Sequence, residues 1–104
     1  MTSQVRVLVL GAGGELGGRV CRLAADVPGA EVLGASRSAR GLAGVPMQRA
    51  DVTDGASVAR LLAAGDLVVN CVGPFHYDPT PLVAACIEAR ARYCDLADDV
   101  AFAD

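Results

Sequence analysis

Residues 7–20 read Val7-Leu8-Val9-Leu10-Gly11-Ala12-Gly13-Gly14-Glu15-Leu16-Gly17-Gly18-Arg19-Val20. The run Val5 to Leu10 is rich in β-branched and Leu side chains and stops at Gly11, which predicts a buried first strand. Beyond the glycines, Leu16, Val20, Leu23 and Ala24 recur at i, i+4, i+7 and i+8, with Arg19, Arg22 and Asp26 on the other side. That spacing predicts a helix packing through those apolar residues and ending near Pro28-Gly29. Strand, glycine turn and helix in immediate succession make an anion site. The glycines allow a tight turn and close approach of a pyrophosphate, and the helix N-terminus presents free N–H groups to it.

The same alternation continues along the chain. Glu31 to Ala35 predicts a second strand, and Ser36 to Val45 a connection with little helical periodicity. Met47 to Val52 predicts a third strand. Asp54 is placed to cap a helix carrying Val58, Leu61 and Leu62, with Gly65 at its C′ position. Asp66 to Val72 predicts a fourth strand, broken by Gly73-Pro74. Thr80 as N-cap with Pro81 at N1 opens a buried helix from Leu82 to Ala89, and Arg92 to Leu96 predicts a fifth strand. Helix-length crossovers between strands imply right-handed connections and a parallel sheet. The expected fold is therefore a single α/β domain over residues 1–104, a Rossmann-like doubly wound sheet of about five strands in the order 3-2-1-4-5.

Composition narrows the chemistry. The net charge is −3 and all nine basic residues are Arg, scattered rather than gathered into a stripe, which argues against a nucleic-acid partner. With no Lys, a P-loop lysine, a Schiff base and a Tyr-x-x-x-Lys pair are excluded. No apolar stretch suggests a membrane partner. Cys21, Cys71, Cys86 and Cys94 lack C-x-x-C spacing and the single His76 cannot hold zinc alone, so no metal is expected. Free thiols without a leader segment predict a cytoplasmic location.

Three places carry the expected cofactor contacts. The loop supplies Gly11, Gly13, Gly14, Glu15, Leu16 and Gly17, and reads better as G-x-x-G-x-x-G than as G-x-G-x-x-G because Leu16 takes the last Gly position of the latter. At the end of the second strand, where NAD-specific folds place an acid for the ribose hydroxyls, stand Ser36 and Arg37. An Arg there pairs with a 2′-phosphate, with Arg40 close in sequence, and this makes NADP(H) the expected cofactor. Asp51-Val52 follows the third strand, where a carboxylate can accept from an adenine amino group; a plain turn Asp is the equal alternative. Cys71, Val72, Gly73 and Pro74 end the fourth strand beside the switch point between strands one and four, positioned to run along the ribose and nicotinamide.

Together VLVLGAGGELGGRV, ADVTD (residues 50–54), NCVGPF (70–75) and PLVAACIEARARYCDLADD (81–99) resemble the NADP-binding domain of saccharopine dehydrogenase-like oxidoreductases. The most specific part is NCVGPF followed by a helix and YCDLADD. The resemblance implies that Gly11, Gly13, Gly14 and Gly17 contact the pyrophosphate, Ser36 and Arg37 the 2′-phosphate, and residues 70–75 the nicotinamide end. His76-Tyr77-Asp78-Pro79 departs from the family's usual small or Gly-bearing stretch, so no substrate contact carries over there; His76 reads as an exposed loop residue rather than a proton donor. No catalytic acid or base is assigned.

The resemblance also implies a substrate domain following this one, whereas the chain stops soon after the fifth strand. The expectation is the N-terminal part of a longer oxidoreductase, inactive by itself, with that domain or a homodimer partner completing it; a freestanding small protein is the other reading. The alternative is a non-catalytic NADP(H)-sensing regulatory or interaction domain, since fold does not dictate function.

Overall fold

A computed structural model describes residues 4–38, 44–73 and 77–95. Its elements are β1 (Val5–Leu10), α1 (Glu15–Ala25), β2 (Ala30–Ser36), β3 (Met47–Arg49), α2 (Gly55–Ala59), β4 (Leu67–Asn70), α3 (Thr80–Ala89) and β5 (Arg92–Asp95). All neighbouring strands pair in parallel, in the order β3-β2-β1-β4-β5, so the expected doubly wound sheet is present. The reversal of order falls between β1 and β4, where Leu10 lies opposite Asn70.

Side chains alternate along β1 and divide the core into two layers. Leu8 and Leu10 join Val58 of α2, Leu82 and Cys86 of α3 and Val68 of β4 on one face. Val7 and Val9 join Cys21 of α1 and Val69 of β4 on the other. Arg6 reaches from β1 to the turn before β4, where its guanidinium pairs with the buried Asp66 at 2.6 Å and donates to the Leu61 carbonyl. Asp66 also accepts from the Ala63 N–H at 2.9 Å, which fixes the entry to β4.

Helix α1 corrects the sequence reading of its packing face. Leu16 and Leu23, expected in the core, are 49% and 72% exposed. The buried residues are Gly17, Gly18 and Cys21, with Val20 and Ala24 partly covered. The cause is closeness: a β-carbon on Gly17 would lie 2.0 Å from the Gly11 carbonyl oxygen. Small residues bring the helix axis onto the glycine turn and rotate the larger apolar side chains to its flank.

Other differences are local. Asp54 caps α2 as expected, accepting from the Ala56 N–H at 3.2 Å, but the helix ends at Ala59. Leu61 and Leu62 pack on the core from the following turn, and Gly65 is not the helix C′ residue; its positive φ serves the turn into β4. Thr80 is the first residue of α3 rather than its cap: Pro79 holds the N-cap position, and the Asp78 carboxylate accepts from the Thr80 N–H at 2.9 Å. Only part of α3 is buried, since Leu82, Ala85 and Cys86 face the core while Ile87 is exposed. Strands β3 and β4 are shorter than expected because side chains take over their backbone groups. The Asp51 N–H donates to Ser57 Oγ, and the Val72 N–H to Asn70 Oδ1, instead of to a ladder.

Candidate functional site

The carboxyl ends of β1, β2 and β4 open onto one cleft. Its larger hollow, about 380 Å³, is walled by Leu10 and Gly11, by Ala35, Ser36 and Arg37 after β2, and by Ala50 to Thr53 after β3. Cys71, Val72, Gly73 and Tyr77 close it from the β4 side. A second hollow of about 330 Å³ continues over the glycine loop between Gly13, Gly14 and Ser38. Both hollows share Gly11, Gly14, Ser36 and Arg37, so the cleft is elongated with Arg37 at its junction.

The loop owes its shape to two contacts. Gly11 takes a positive φ of 79°, and the N–H groups of Gly11 and Ala12 both donate to the Ala35 carbonyl, at 2.8 and 3.2 Å. That lashes the turn to the end of β2 and places it beside Ser36-Arg37. Gly14 is the N-cap of α1 and provides no side-chain cap. The first turn of α1 therefore begins beside the cleft without an N-cap side chain to satisfy its N–H groups, the arrangement in which a helix N-terminus takes an anion.

Of the residues expected from sequence, Gly11, Gly13, Gly14, Ser36, Arg37, Asp51, Val52, Cys71, Val72 and Gly73 line this cleft. Glu15, Leu16 and Gly17 are not among its lining residues. Glu15 is exposed and pairs with Arg19 at 3.0 Å, Leu16 lies on the helix flank, and Gly17 is covered by the turn. Pro74, with Phe75, His76 and Arg40, lies outside the described residues.

Asp51 Oδ1 accepts from Thr53 Oγ1 at 2.7 Å and from the Thr53 N–H at 2.9 Å. The hydroxyl bond above all, then the backbone bond, holds the Asp51 carboxyl below the usual carboxylate range, and the charge of Arg37 lowers it further. An ionised acceptor thus sits in the wall at neutral pH. Cys71 is the opposite case: burial pushes its thiol up to about 11, so it contributes a neutral surface rather than a nucleophile.

Sequence reasoning missed Tyr77 and Thr53. Tyr77 stands in the segment set aside as a departure from the family pattern. Its hydroxyl accepts from Asn70 Nδ2 at 2.7 Å, a link across seven residues that neither helix nor strand periodicity reveals.

A parallel sheet in this order, with an elongated cleft over a glycine turn at the switch point, defines a dinucleotide-binding domain. The family model described as the saccharopine dehydrogenase NADP binding domain matches residues 7–102. The chain belongs to that family, and its cofactor is NADP(H). Over 58 residues it is 36% identical to a "Probable mitochondrial saccharopine dehydrogenase-like oxidoreductase" of Arabidopsis thaliana, covering 56% of this chain and 13% of that protein. Over 52 residues it is 33% identical to the human saccharopine dehydrogenase-like oxidoreductase, covering 50% of this chain and 12% of that protein. Among solved structures it is similar to a "Putative exported protein" from Burkholderia pseudomallei, with TM-score 0.68 and 29% identity over 88% of this chain and 47% of that one. The chain thus spans a small part of the curated relatives it matches. Among the described residues no helix is long and apolar enough to cross a membrane.

Proposed function

We propose that this domain is the cofactor-holding part of an NADP(H)-dependent oxidoreductase and orients the nicotinamide for hydride transfer at a substrate site supplied by the rest of the enzyme. The bound cofactor supplies the hydride chemistry; the chain supplies binding and orientation. Gly11, Gly13 and Gly14 take the pyrophosphate against the N-terminus of α1. Ser36 and Arg37 take the 2′-phosphate, Asp51 and Val52 the adenine, and Cys71 to Gly73 run along the remaining length. One observation carries this assignment: Arg37 borders both hollows, at the end of β2 where an acid would serve NAD. The discriminating experiment is calorimetric titration with NADPH and NADH; equal affinity would remove the 2′-phosphate assignment.

On β5, Arg92 and Cys94 share the α1 face with Leu67 and Val69, their partners in register, and both are exposed. We assign this uncovered face to contact with a substrate domain or, in the isolated domain, with a second copy. The four free cysteines fit a reducing compartment such as the cytoplasm, although the Arabidopsis relative is named as mitochondrial. No observation favours the nucleotide-sensing alternative.

A further inference from the structure

Asn70 is completely buried at the end of β4, and its side chain joins three residues. Its Nδ2 donates to Tyr77 Oη at 2.7 Å and to Tyr93 Oη at 3.1 Å, while Oδ1 accepts from the Val72 N–H at 3.0 Å. Tyr77 Oη donates in turn to the Val72 carbonyl at 3.2 Å, and Tyr93 Oη donates to Asp95 Oδ2 at 3.1 Å. The Val72 backbone is therefore held at its N–H by Asn70 and at its carbonyl by Tyr77. Its position matters to the cleft, because Val72 Cγ2 stands 3.0 Å from where a β-carbon on Gly11 would be. The clamp fixes how closely the wall after β4 approaches the glycine turn.

Only one of the two tyrosines lines the hollow. Tyr77 shares it with Arg37, Asp51, Val52 and Thr53, and packs on the core layer that contains Leu10, Ala50 and Val52. Tyr93 packs on the same layer but is not part of the cleft wall. In a doubly wound sheet the β1-β2-β3 half receives the adenosine moiety. Tyr77 comes from the other half of the chain and stands beside Val72, yet the hollow it lines with Cys71, Val72 and Gly73 is the one walled by Arg37, Asp51, Val52 and Thr53 of the adenosine half.

We propose that Tyr77, oriented by Asn70, is a wall of the adenosine subsite. This deepens the NADP(H) reading above and rests on it. The Asn70 clamp makes Tyr77 part of the subsite for the base, while Val72 beside it borders the glycine turn. Tyr77 acts by presenting its ring to the ligand and by holding Val72; Asn70 is a positioning residue that acts through both.

The test is calorimetry with NADPH and with 2′,5′-ADP, which is the adenosine half alone. Tyr77→Leu should weaken both ligands by the same factor, about tenfold, as expected for loss of an aromatic contact to a base. Tyr77→Phe keeps the ring but releases the Val72 carbonyl, and should weaken both by about threefold, a smaller step on the same free-energy scale. Tyr93→Phe removes a hydroxyl from the same network; it should lower the melting temperature about as much as Tyr77→Phe while leaving both affinities within about twofold. Loss of NADPH affinity with 2′,5′-ADP unchanged would move Tyr77 to the nicotinamide half and overturn the proposal. So would unchanged binding of both ligands by a folded Tyr77 variant. Should Tyr77→Leu not fold, Tyr77→Phe decides by the same criterion. A wild-type protein that binds neither ligand would bring down the NADP(H) reading itself, an outcome distinct from a failure of Tyr77 alone.

Discussion

Gly17 and Gly11 meet without room for a methyl group between them. A β-carbon on Gly17 would lie 2.0 Å from the Gly11 carbonyl oxygen and 2.6 Å from its carbonyl carbon, and both are backbone atoms that cannot swing aside. At Gly14 the same addition meets only the Gly11 oxygen, at 3.4 Å. The two glycines of one motif therefore have separable duties. Gly17→Ala should cost about 1–3 kcal/mol through overpacking and displace α1 from β1. Gly14→Val should fold with nearly unchanged stability but lose NADPH, because its side chain enters the shared part of the cleft. Denaturant titration and calorimetry on the two variants check this. A Gly14 variant that retains full affinity would show that the loop does not hold the pyrophosphate.

Arg37 carries the discrimination between cofactors. A charge-assisted contact to the 2′-phosphate is worth about 1.5–3 kcal/mol, so wild-type protein should favour NADPH over NADH by roughly ten- to a hundredfold. Arg37→Asp should reverse the order, since the carboxylate repels the phosphate and can accept from the ribose hydroxyls of NADH. Paired titrations with both cofactors read the reversal directly.

Asp51 gives a pH dependence whose sign follows from its partners. Its folded-state pKa is lowered, chiefly by the Thr53 hydroxyl, then by the Thr53 N–H and the charge of Arg37. A lowered pKa contributes stability that is present above the ordinary carboxylate value and lost as pH falls through the folded one. Thr53→Val removes the hydroxyl and leaves the N–H, so the Asp51 titration should move up toward the ordinary value without reaching it. Carbon-detected NMR titration of the Asp51 carboxyl measures the shift; an unmoved midpoint would mean that the hydroxyl bond does not control the charge.

The sheet was legible in the sequence because β1 and β4 are short apolar runs closed by Gly11 and by Gly73-Pro74, and helix-length connections leave few topologies. The packing face of α1 was not. Periodicity counts apolar residues, and Leu16 and Leu23 outweigh Gly17 and Gly18 in any such count, although the glycines alone permit the approach to Gly11. At the cleft, the residues recovered are those whose role rests on main chain or on position at a strand end. Tyr77 was missed because its place depends on Asn70, buried a strand end away.

Arg90 closes α3 at φ 60° and ψ 38°, the left-handed conformation that costs a residue with a β-carbon about 1–2 kcal/mol. The bonds that end the helix are backbone ones, from the Arg90 N–H to Ile87 and from the Ala91 N–H to Cys86. Glycine can make the first of them without strain. Arg90→Gly should therefore raise stability by about 1 kcal/mol, seen as a higher denaturant midpoint at unchanged slope. A lower midpoint would show that the Arg90 side chain makes a contact outweighing its backbone cost.

The last expectation concerns the open side of the sheet. Both α2 and α3 cover the face bearing Leu8, Leu10 and Val68, while α1 covers the other face over β1 and β2. On that second face Val69 and Leu67 are mostly covered, but Arg92 and Cys94, beside them on β5, stand in solvent. Leu16 and Leu23 on α1, and Val27 just after it, add exposed apolar surface. Exposed apolar side chains on a small domain favour association. The purified domain should accordingly form dimers, or associate with rising concentration, in the micromolar range. Cys94→Lys would place a charge on the uncovered face at a position already exposed, so it should return the protein to monomer without loss of melting temperature. Sedimentation of both proteins over a concentration series decides the matter. A wild-type chain that stays monomeric and binds no hydrophobic dye would show that this face needs no partner, and dimers unaffected by Cys94→Lys would place the contact elsewhere.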